Sequence, residues 1–554
     1  MVKENFVKLF EEVFKTNWAL PAYTNYEEGK TYSVADVSQR IAKVHLILEQ
    51  CGIQKGDKIS LIGKDCAEWN TIWLGIATYG AIVVPILPDF HTDDIHHIIN
   101  HSDSTLVFAG EEHQKTLVQN KLQNVVATFD VKTLRPVLGL TPTPRFQTIN
   151  VKSLFEERYP QGYTRDDIKY PEVSNDEVVV ISYTSGTSGY SKGVMTTANN
   201  LAANMTYAFT QNMQRRGDNF LCFLPNAHAY SCAFNMLLPI LSGAHVYILG
   251  QKPTPTILLK AFKDIRPNLI LAVPLILEKI YKNVLAPKLQ ETKTKLALST
   301  PILRLTAQKK FREALMDALG GTLREVIIGG AALNSEVAEF LHSIKFPVTV
   351  GYGMTECAPL VAYTPYQTYV SGSCGKVLKM IEDLRIADAQ EIEGKMVGEV
   401  QVRGENVCKG YYKNDDATRE LFTADGWMKT GDLGYIEKDN VFLKGRSKAM
   451  LLGPNGQNIY PEEIEAKIAM LPYMNESIVV QREKNKIVAI VTIDRKALEK
   501  DGYISESEIK NILNQNRAKL NNTLATFAQI SDFEILDRDF EKTPKQSIKR
   551  YLYK

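Results

Sequence analysis

The chain has 554 residues, enough for more than one domain around a large core. Its formal net charge is only +2, so charge balance gives no argument for a nucleic-acid or strongly acidic partner. The seven cysteines (Cys51, Cys66, Cys222, Cys232, Cys357, Cys374, Cys408) are odd in number and never spaced as CxxC, which predicts reduced thiols in a cytoplasmic protein without a zinc site or disulfide framework.

No charged n-region followed by an apolar core opens the chain, so no secretory leader is expected. Phe6, Leu9, Phe10, Val13 and Phe14 share one helical stripe. The opposite face mixes Lys8, Glu11, Glu12 and Lys15, which favours packing on the protein's own core over docking on a membrane. Residues 69–88 carry no charge and are about long enough to cross a bilayer. Asn70, Thr71, Gly75, Thr78, Gly80 and Pro85 interrupt them, predicting a helix, a turn and a buried strand over GAIVVPI.

Apolar runs at LVFAG, VVVISY, VYILG, LILAV and VIIGG between helical stretches predict an α/β fold with largely parallel sheets. Pro136, Pro142, Pro144, Pro160 and Pro171 mark a surface stretch before the second run. That run ends in YTSGTSGYSKG, Tyr183 to Gly193, and is expected to lead through a loop into a helix at LAANMTYAF. Glycines let backbone N–H groups converge on an anion; Thr184, Ser185, Thr187 and Ser188 add hydroxyl donors, and Lys192 a mobile cation. The loop is read as a phosphate cradle formed by Thr184, Ser185, Gly186, Thr187, Ser188, Gly189 and Lys192. It is not a Walker A loop, because Lys192 lies between Ser191 and Gly193.

Further on, His228 follows LPNA, where a hydrogen-bonded core histidine competes with a functional one. Gly329, Gly330 and Ala331 leave the VII strand without bulky side chains, so backbone can approach a ligand. GYGMTE supplies an aromatic face in Tyr352, a small Gly353, a hydroxyl in Thr355 and a hard oxygen ligand for Mg²⁺ in Glu356. Asp432 in TGDLG offers a pair of acceptor oxygens.

The loop resembles the signature of the adenylate-forming (ANL) superfamily, [YF]TSGTTGxPKG, departing at Ser188 and Ser191 without loss of the lysine. Similar segments recur in family order: LPNAH from Leu224, RPNLILAVPLILEKI from Arg266, VIIGGAAL from Val326, GYGMTE from Gly351, TGDLGYIEKDNVFLKGR from Thr430 and GQNIYPEEIE from Gly456. The resemblance implies a large N-terminal domain of layered sheets and helices, residues 1–446, and a small mobile α+β domain, residues 447–554, with a hinge near Lys448. It also implies that Gly329, Gly330, Ala331 and Tyr352 border adenine, that Thr355 meets the α-phosphate, that Asp432 and Arg446 hold ribose, and that His228 borders the acyl carboxylate.

The implied activity is acid:CoA ligation through an acyl adenylate, with ATP, Mg²⁺ and coenzyme A and a small-molecule carboxylic acid. VPLILEKIYKN and the segment from Tyr369 are most similar to long-chain fatty acyl-CoA synthetases, pointing to a medium or long chain and leaving room for a peripheral membrane contact. An acyl-AMP or acyl-carrier-protein ligase and a silent nucleotide or acyl-CoA binder stand as alternatives. The family's KTxxGK lysine is replaced here: aligned on Lys542-Thr543, its position is Ser547. Lys549, or secondarily Lys545, is expected to substitute, since residues two apart in an extended segment share a face.

Overall fold

The computed structural model describes residues 2–184, 191–291, 299–452, 457–482, 486–543 and 547–553. All five apolar runs form strands: Ser104–Ala109, Val178–Thr184, His245–Ile248, Leu269–Ala272 and Glu325–Ile328. The first two belong to a six-stranded sheet in the order 127–130, 104–109, 58–62, 82–86, 178–184, 192–197, parallel except for its last pair. The other three belong to a seven-stranded sheet in the order 348–350, 325–328, 269–272, 219–222, 245–248, 21–25, 30–33, parallel except for the final hairpin. Crossover helices cover such sheets on both faces, which is why their strands read as unbroken apolar runs. Every residue of Ile82–Ile86 is buried.

A third sheet, seven strands between residues 352 and 446, is antiparallel throughout and carries the GYGMTE and TGDLG segments. Beyond it lies a smaller C-terminal domain. Its strands Met474–Gln481, Ile487–Ile493 and Asp532–Ile535 pack with helices Pro461–Ile468 and Glu506–Asn521. Ile464, Ile468, Val479, Val491, Leu513 and Leu520 form a separate core there. A large α/β domain plus a small α+β domain is the architecture that the sequence predicts.

Residues 69–88 form helix Ala67–Tyr79, a left-handed reversal at Gly80 (φ +89°) and strand Ile82–Ile86, as expected. Among the described residues no helix is long and apolar enough to cross a membrane. One local expectation is corrected. The segment expected to cradle phosphate is not followed directly by a helix: strand Lys192–Thr197 lies antiparallel to Val178–Thr184, with Lys192 opposite Thr184. The reason is packing at Gly193, where a Cβ would come within 2.9 Å of Ile181 and 3.1 Å of the Tyr183 ring. Helix Ala198–Thr210 starts only afterwards, capped by Thr197 and Asn200 in a reciprocal capping box.

The amphipathic first helix, Phe6–Thr16, turns inward. Phe6, Phe10 and Phe14 are fully buried, with successive ring centroids 5.2 and 5.8 Å apart. Removing a fully buried phenyl ring leaves a cavity as well as a lost transfer term. Phe10→Ala is therefore expected to cost about 3–5 kcal/mol of stability, read as a lower denaturation midpoint in urea, whereas Lys8→Ala on the exposed face should shift it little.

Candidate active site

Glu356 lies in a short 3₁₀ turn, Thr355–Cys357, and both Thr355 and Glu356 are buried. The turn is held by backbone and side-chain bonds that come from far away in sequence. Cys408 N donates to the Glu356 carbonyl at 2.7 Å. Asn204, fully buried on helix Ala198–Thr210, donates through Nδ2 to the Cys357 carbonyl (3.1 Å) and accepts from Leu360 N (3.1 Å). Asn200 on the same helix donates to the carbonyls of Glu405 and Val407.

The carboxylate itself is held by Tyr411, whose hydroxyl donates to Glu356 Oε1 at 2.9 Å. Burial, reinforced by the Glu356 charge, pushes the Tyr411 hydroxyl well above its ordinary pKa, so it stays a donor. The Lys192 ammonium lies 4.8 Å from the centre of the same ring, within cation–π range. Residues 409–412 extend the hairpin, with Met195 N donating to Gly410 O and Tyr412 N to Gly193 O at 2.9 and 2.8 Å. The loop lysine and the candidate metal carboxylate thus meet on one tyrosine, the first over its ring and the second at its hydroxyl.

Tyr352 stands at the other end of the GYGMTE segment. It is buried, and its hydroxyl donates to Asp432 Oδ2 at 2.6 Å. Asp432 Oδ1 pairs with the exposed Arg446 Nε at 3.2 Å, the two residues being directly opposite in an antiparallel pair of strands. Burial raises the Asp432 carboxyl above the usual carboxylate range, while the Arg446 charge opposes the shift.

Gly329, Gly330 and Ala331 begin where strand Glu325–Ile328 ends, and Gly351 N donates to Ile328 O at 2.8 Å, setting this turn beside Tyr352. Gly330 is left-handed (φ +86°), and a Cβ on Gly329 would lie 3.0 Å from the Tyr230 ring. A Cβ on Gly353 would lie 2.4 Å from the Pro359 carbonyl, so glycine is required there for packing.

His228 is half-buried and precedes helix Ala229–Ser231, its N–H donating to Pro225 O at 3.0 Å. Its segment rests on Asp65, whose two carboxylate oxygens both accept from Asn226 N at 3.1 and 3.2 Å. Asn226, fully buried, also bonds Asn70 and Ser231. Burial pushes the Asp65 carboxyl up to about 7.

Ser185, Gly186, Thr187, Ser188, Gly189 and Lys545 lie outside the described residues. Lys549 lies in the small domain, next to an antiparallel bridge between Lys542 and Ile548, and its N–H donates to Glu541 O at 2.9 Å. Sequence reasoning missed Tyr411, Asn204, Asn200 and Asp65. Tyr411 and Asp65 carry no spacing signal, whereas the pair of asparagines one helical turn apart in NNLAAN was a readable sign of a polar helix face.

A single buried carboxylate, with one oxygen engaged by a hydroxyl, fits Mg²⁺, which keeps water and phosphate oxygens in its shell. It does not fit a cation that needs an all-protein cage, and the described residues contain no cluster of three or more His, Cys, Asp or Glu side chains able to hold one.

Residues 10–412 match the family model described as AMP-binding enzyme, and the chain belongs to that family. Among its relatives is a long-chain-fatty-acid–CoA ligase of Mycobacterium bovis, 28% identical over 84% of this chain and 78% of the relative. A long-chain-fatty-acid–CoA ligase of Yersinia pestis is 26% identical over 86% and 82%. ATP-bound MatB from Rhodopseudomonas palustris has a similar fold, with TM-score 0.74 and 22% identity, covering 99% of this chain and 98% of that one. A Mycobacterium tuberculosis fatty acyl CoA synthetase gives TM-score 0.65 and 21% identity, covering 99% and 97%.

Tyr411→Phe leaves Glu356 buried without its donor. It is expected to weaken nucleotide binding about tenfold, the order for a hydrogen bond to a charged group, seen as a raised dissociation constant for MgATP in calorimetry. Asp65 gives a pH signature. Its folded pKa of about 7 exceeds the ordinary value of about 3.9. The folded state therefore binds the proton more tightly, and wild-type stability falls on this account as pH rises from about 4 to about 7. Asp65→Asn should remove that fall, so that melting temperatures of variant and wild type separate across the window and run parallel above it.

Proposed function

We propose that this AMP-binding enzyme is an ATP-dependent acid:CoA ligase that activates a medium- or long-chain fatty acid as its acyl adenylate and passes the acyl group to coenzyme A. One observation carries the reading: the short segment 352–356 joins a phosphate-side cluster, Lys192–Tyr411–Glu356, to a ribose-side cluster, Tyr352–Asp432–Arg446. A nucleotide needs both ends recognised at one fixed spacing, and the shared segment supplies it. The fatty-acid–CoA ligases among the relatives support the acyl and thiol partners.

On this reading the substrate carboxylate attacks the α-phosphorus of ATP and pyrophosphate leaves. The thiolate of coenzyme A then attacks the acyl carbon, and AMP leaves. Glu356 and Thr355 hold the phosphate end in place, and Lys192 offsets its charge. When bound, Mg²⁺ neutralises the triphosphate. Asp432, kept in place by Tyr352 and Arg446, accepts from the ribose hydroxyls. Gly329, Gly330, Ala331 and Gly353 let backbone come close to the base, and His228 faces the acyl carboxylate. Most of the rate enhancement then comes from positioning and charge stabilisation.

The boundary between the two domains is placed after Arg446, with a hinge at Lys448, an exposed residue in the 3₁₀ turn Ser447–Ala449. The missing family lysine is supplied by Lys549 or, secondarily, Lys545. Peripheral contact with a membrane that holds the fatty acid is consistent with exposed Leu303 and Leu305 beside Arg304, Lys309 and Lys310.

The reading is tested by pyrophosphate exchange into ATP over carboxylic acids of rising chain length, with Mg²⁺ and without coenzyme A. Exchange peaking at medium or long chains is expected, and no acid-dependent exchange despite ATP binding would favour a silent binder. Lys549→Ala is expected to slow exchange by a factor on the order of 10²–10³, as for loss of one charge-stabilising donor, with Lys545→Ala milder. Unchanged rates in both would remove these lysines from the mechanism.

A further inference from the structure

The small domain touches the large one through the C-terminal end of helix Pro461–Ile468. A helix leaves its last carbonyls without intrahelical partners and carries partial negative charge there. Here two side chains of the large domain supply the partners. Asn334 Nδ2 donates to the Ala466 carbonyl at 2.6 Å. The Lys282 ammonium donates to the Ala469 carbonyl at the helix end (3.3 Å) and to the carbonyl of Met474, which opens the following strand (2.8 Å); it is half-buried, and burial lowers its pKa.

Asn334 is a tightly determined residue. It is buried, its Oδ1 caps helix Ser335–Ser343 by accepting from Glu336 N and Val337 N, and its own N–H donates to Glu278 Oε1 at 3.0 Å. It also follows closely on Gly329, Gly330 and Ala331, the turn set beside Tyr352. One side chain therefore connects the nucleotide-side turn to the small domain.

The segment 541–553 makes its described hydrogen bonds, ion pairs and ring contacts within the small domain. Lys542 pairs with Glu476 at 2.8 Å, Arg550 with Glu465 and Glu462, and Phe540 packs on Tyr553. Helix Pro461–Ile468 in turn faces the large domain, with Glu463 paired to Lys444 at 3.2 Å.

We propose that Asn334 and Lys282 are positioning residues forming a cross-domain latch, which holds the small domain in one arrangement against the large one and so weights the two half-reactions, adenylation and thioester formation, unequally. This rests on the acid:CoA ligase reading. Capping by Lys282 requires a cation at the helix end, and latching by Asn334 requires a donor, so each has a variant that removes only that property. Asn334→Asp keeps an oxygen to cap Ser335–Ser343 but turns the donor into a charge facing a carbonyl. Lys282→Met keeps the stem and removes the ammonium.

The test uses the full chain and separates the two steps: pyrophosphate exchange without coenzyme A reads the first, and thioester release from preformed acyl adenylate plus coenzyme A reads the second. Both variants should shift the ratio of the two rates about tenfold, the order for a lost charge-assisted hydrogen bond, and Lys282→Arg should restore it. An unchanged ratio of the two rates, or an equal fall in both, would overturn the latch. Hydrogen exchange over residues 461–474, measured without substrates, tests it independently of chemistry. Faster exchange in Asn334→Asp and Lys282→Met is expected, and wild-type protection in both variants would sink the latch. Absence of acid-dependent exchange in the wild type would instead sink the ligase reading.

Discussion

Three stretches of chain far apart in sequence meet at Tyr411. Its backbone continues the hairpin that carries Lys192, its ring lies under the Lys192 ammonium, and its hydroxyl holds the Glu356 carboxylate. A buried carboxylate without a donor is costly, and a lysine on a long flexible stem is poorly placed by itself. One aromatic residue with a polar tip meets both needs. The distance between loop lysine and carboxylate is then set by a rigid ring and not by two independent side chains.

Around that point the same device recurs: polar side chains, removed from water, bind backbone groups of segments that have no regular structure of their own. Asn204 and Asn200 fasten the turns at 357–360 and 405–407 to helix Ala198–Thr210, and Asp65 fastens Asn226 beside His228. Irregular backbone within a core needs such partners for its N–H and C=O groups. These residues therefore hold in place the loops that carry the candidate site residues, and the parallel sheets behind them provide the frame. The small domain is treated differently. It has its own core and meets the large domain partly through polar contacts, a kind of interface compatible with relative motion.

Much of this was legible in the amino-acid sequence. Continuous apolar runs located the buried strands, because a strand covered on both faces has no polar side to alternate with. The phenylalanine stripe at the N-terminus located a core-facing helix, because three aromatic rings on one face outweigh what a mixed-charge opposite face could offer a membrane. The glycine, hydroxyl and lysine pattern, Glu356 and Asp432 pointed to a candidate site by local chemistry, and the structure brings Lys192 and Glu356 to Tyr411 and Tyr352 to Asp432. What misled was Lys192–Thr197. A lysine and two threonines around GVM carry a weak period, and pairing with the preceding strand is decided by the space that Gly193 leaves for Tyr183.

By itself the sequence determined the fold class, the chain order of the motifs and the kinds of groups available, since these depend on residue type and short-range spacing. Tertiary structure alone decided which of those groups touch. Tyr411 has no motif around it, and its role comes from a contact across more than fifty positions with Glu356. Asn334 and Lys282 likewise look like an ordinary helix cap and a solvated lysine until the end of helix Pro461–Ile468 is set against them. Long-range hydrogen bonds are formed by whichever buried polar groups the packing brings together, and no local pattern in the chain encodes their partners.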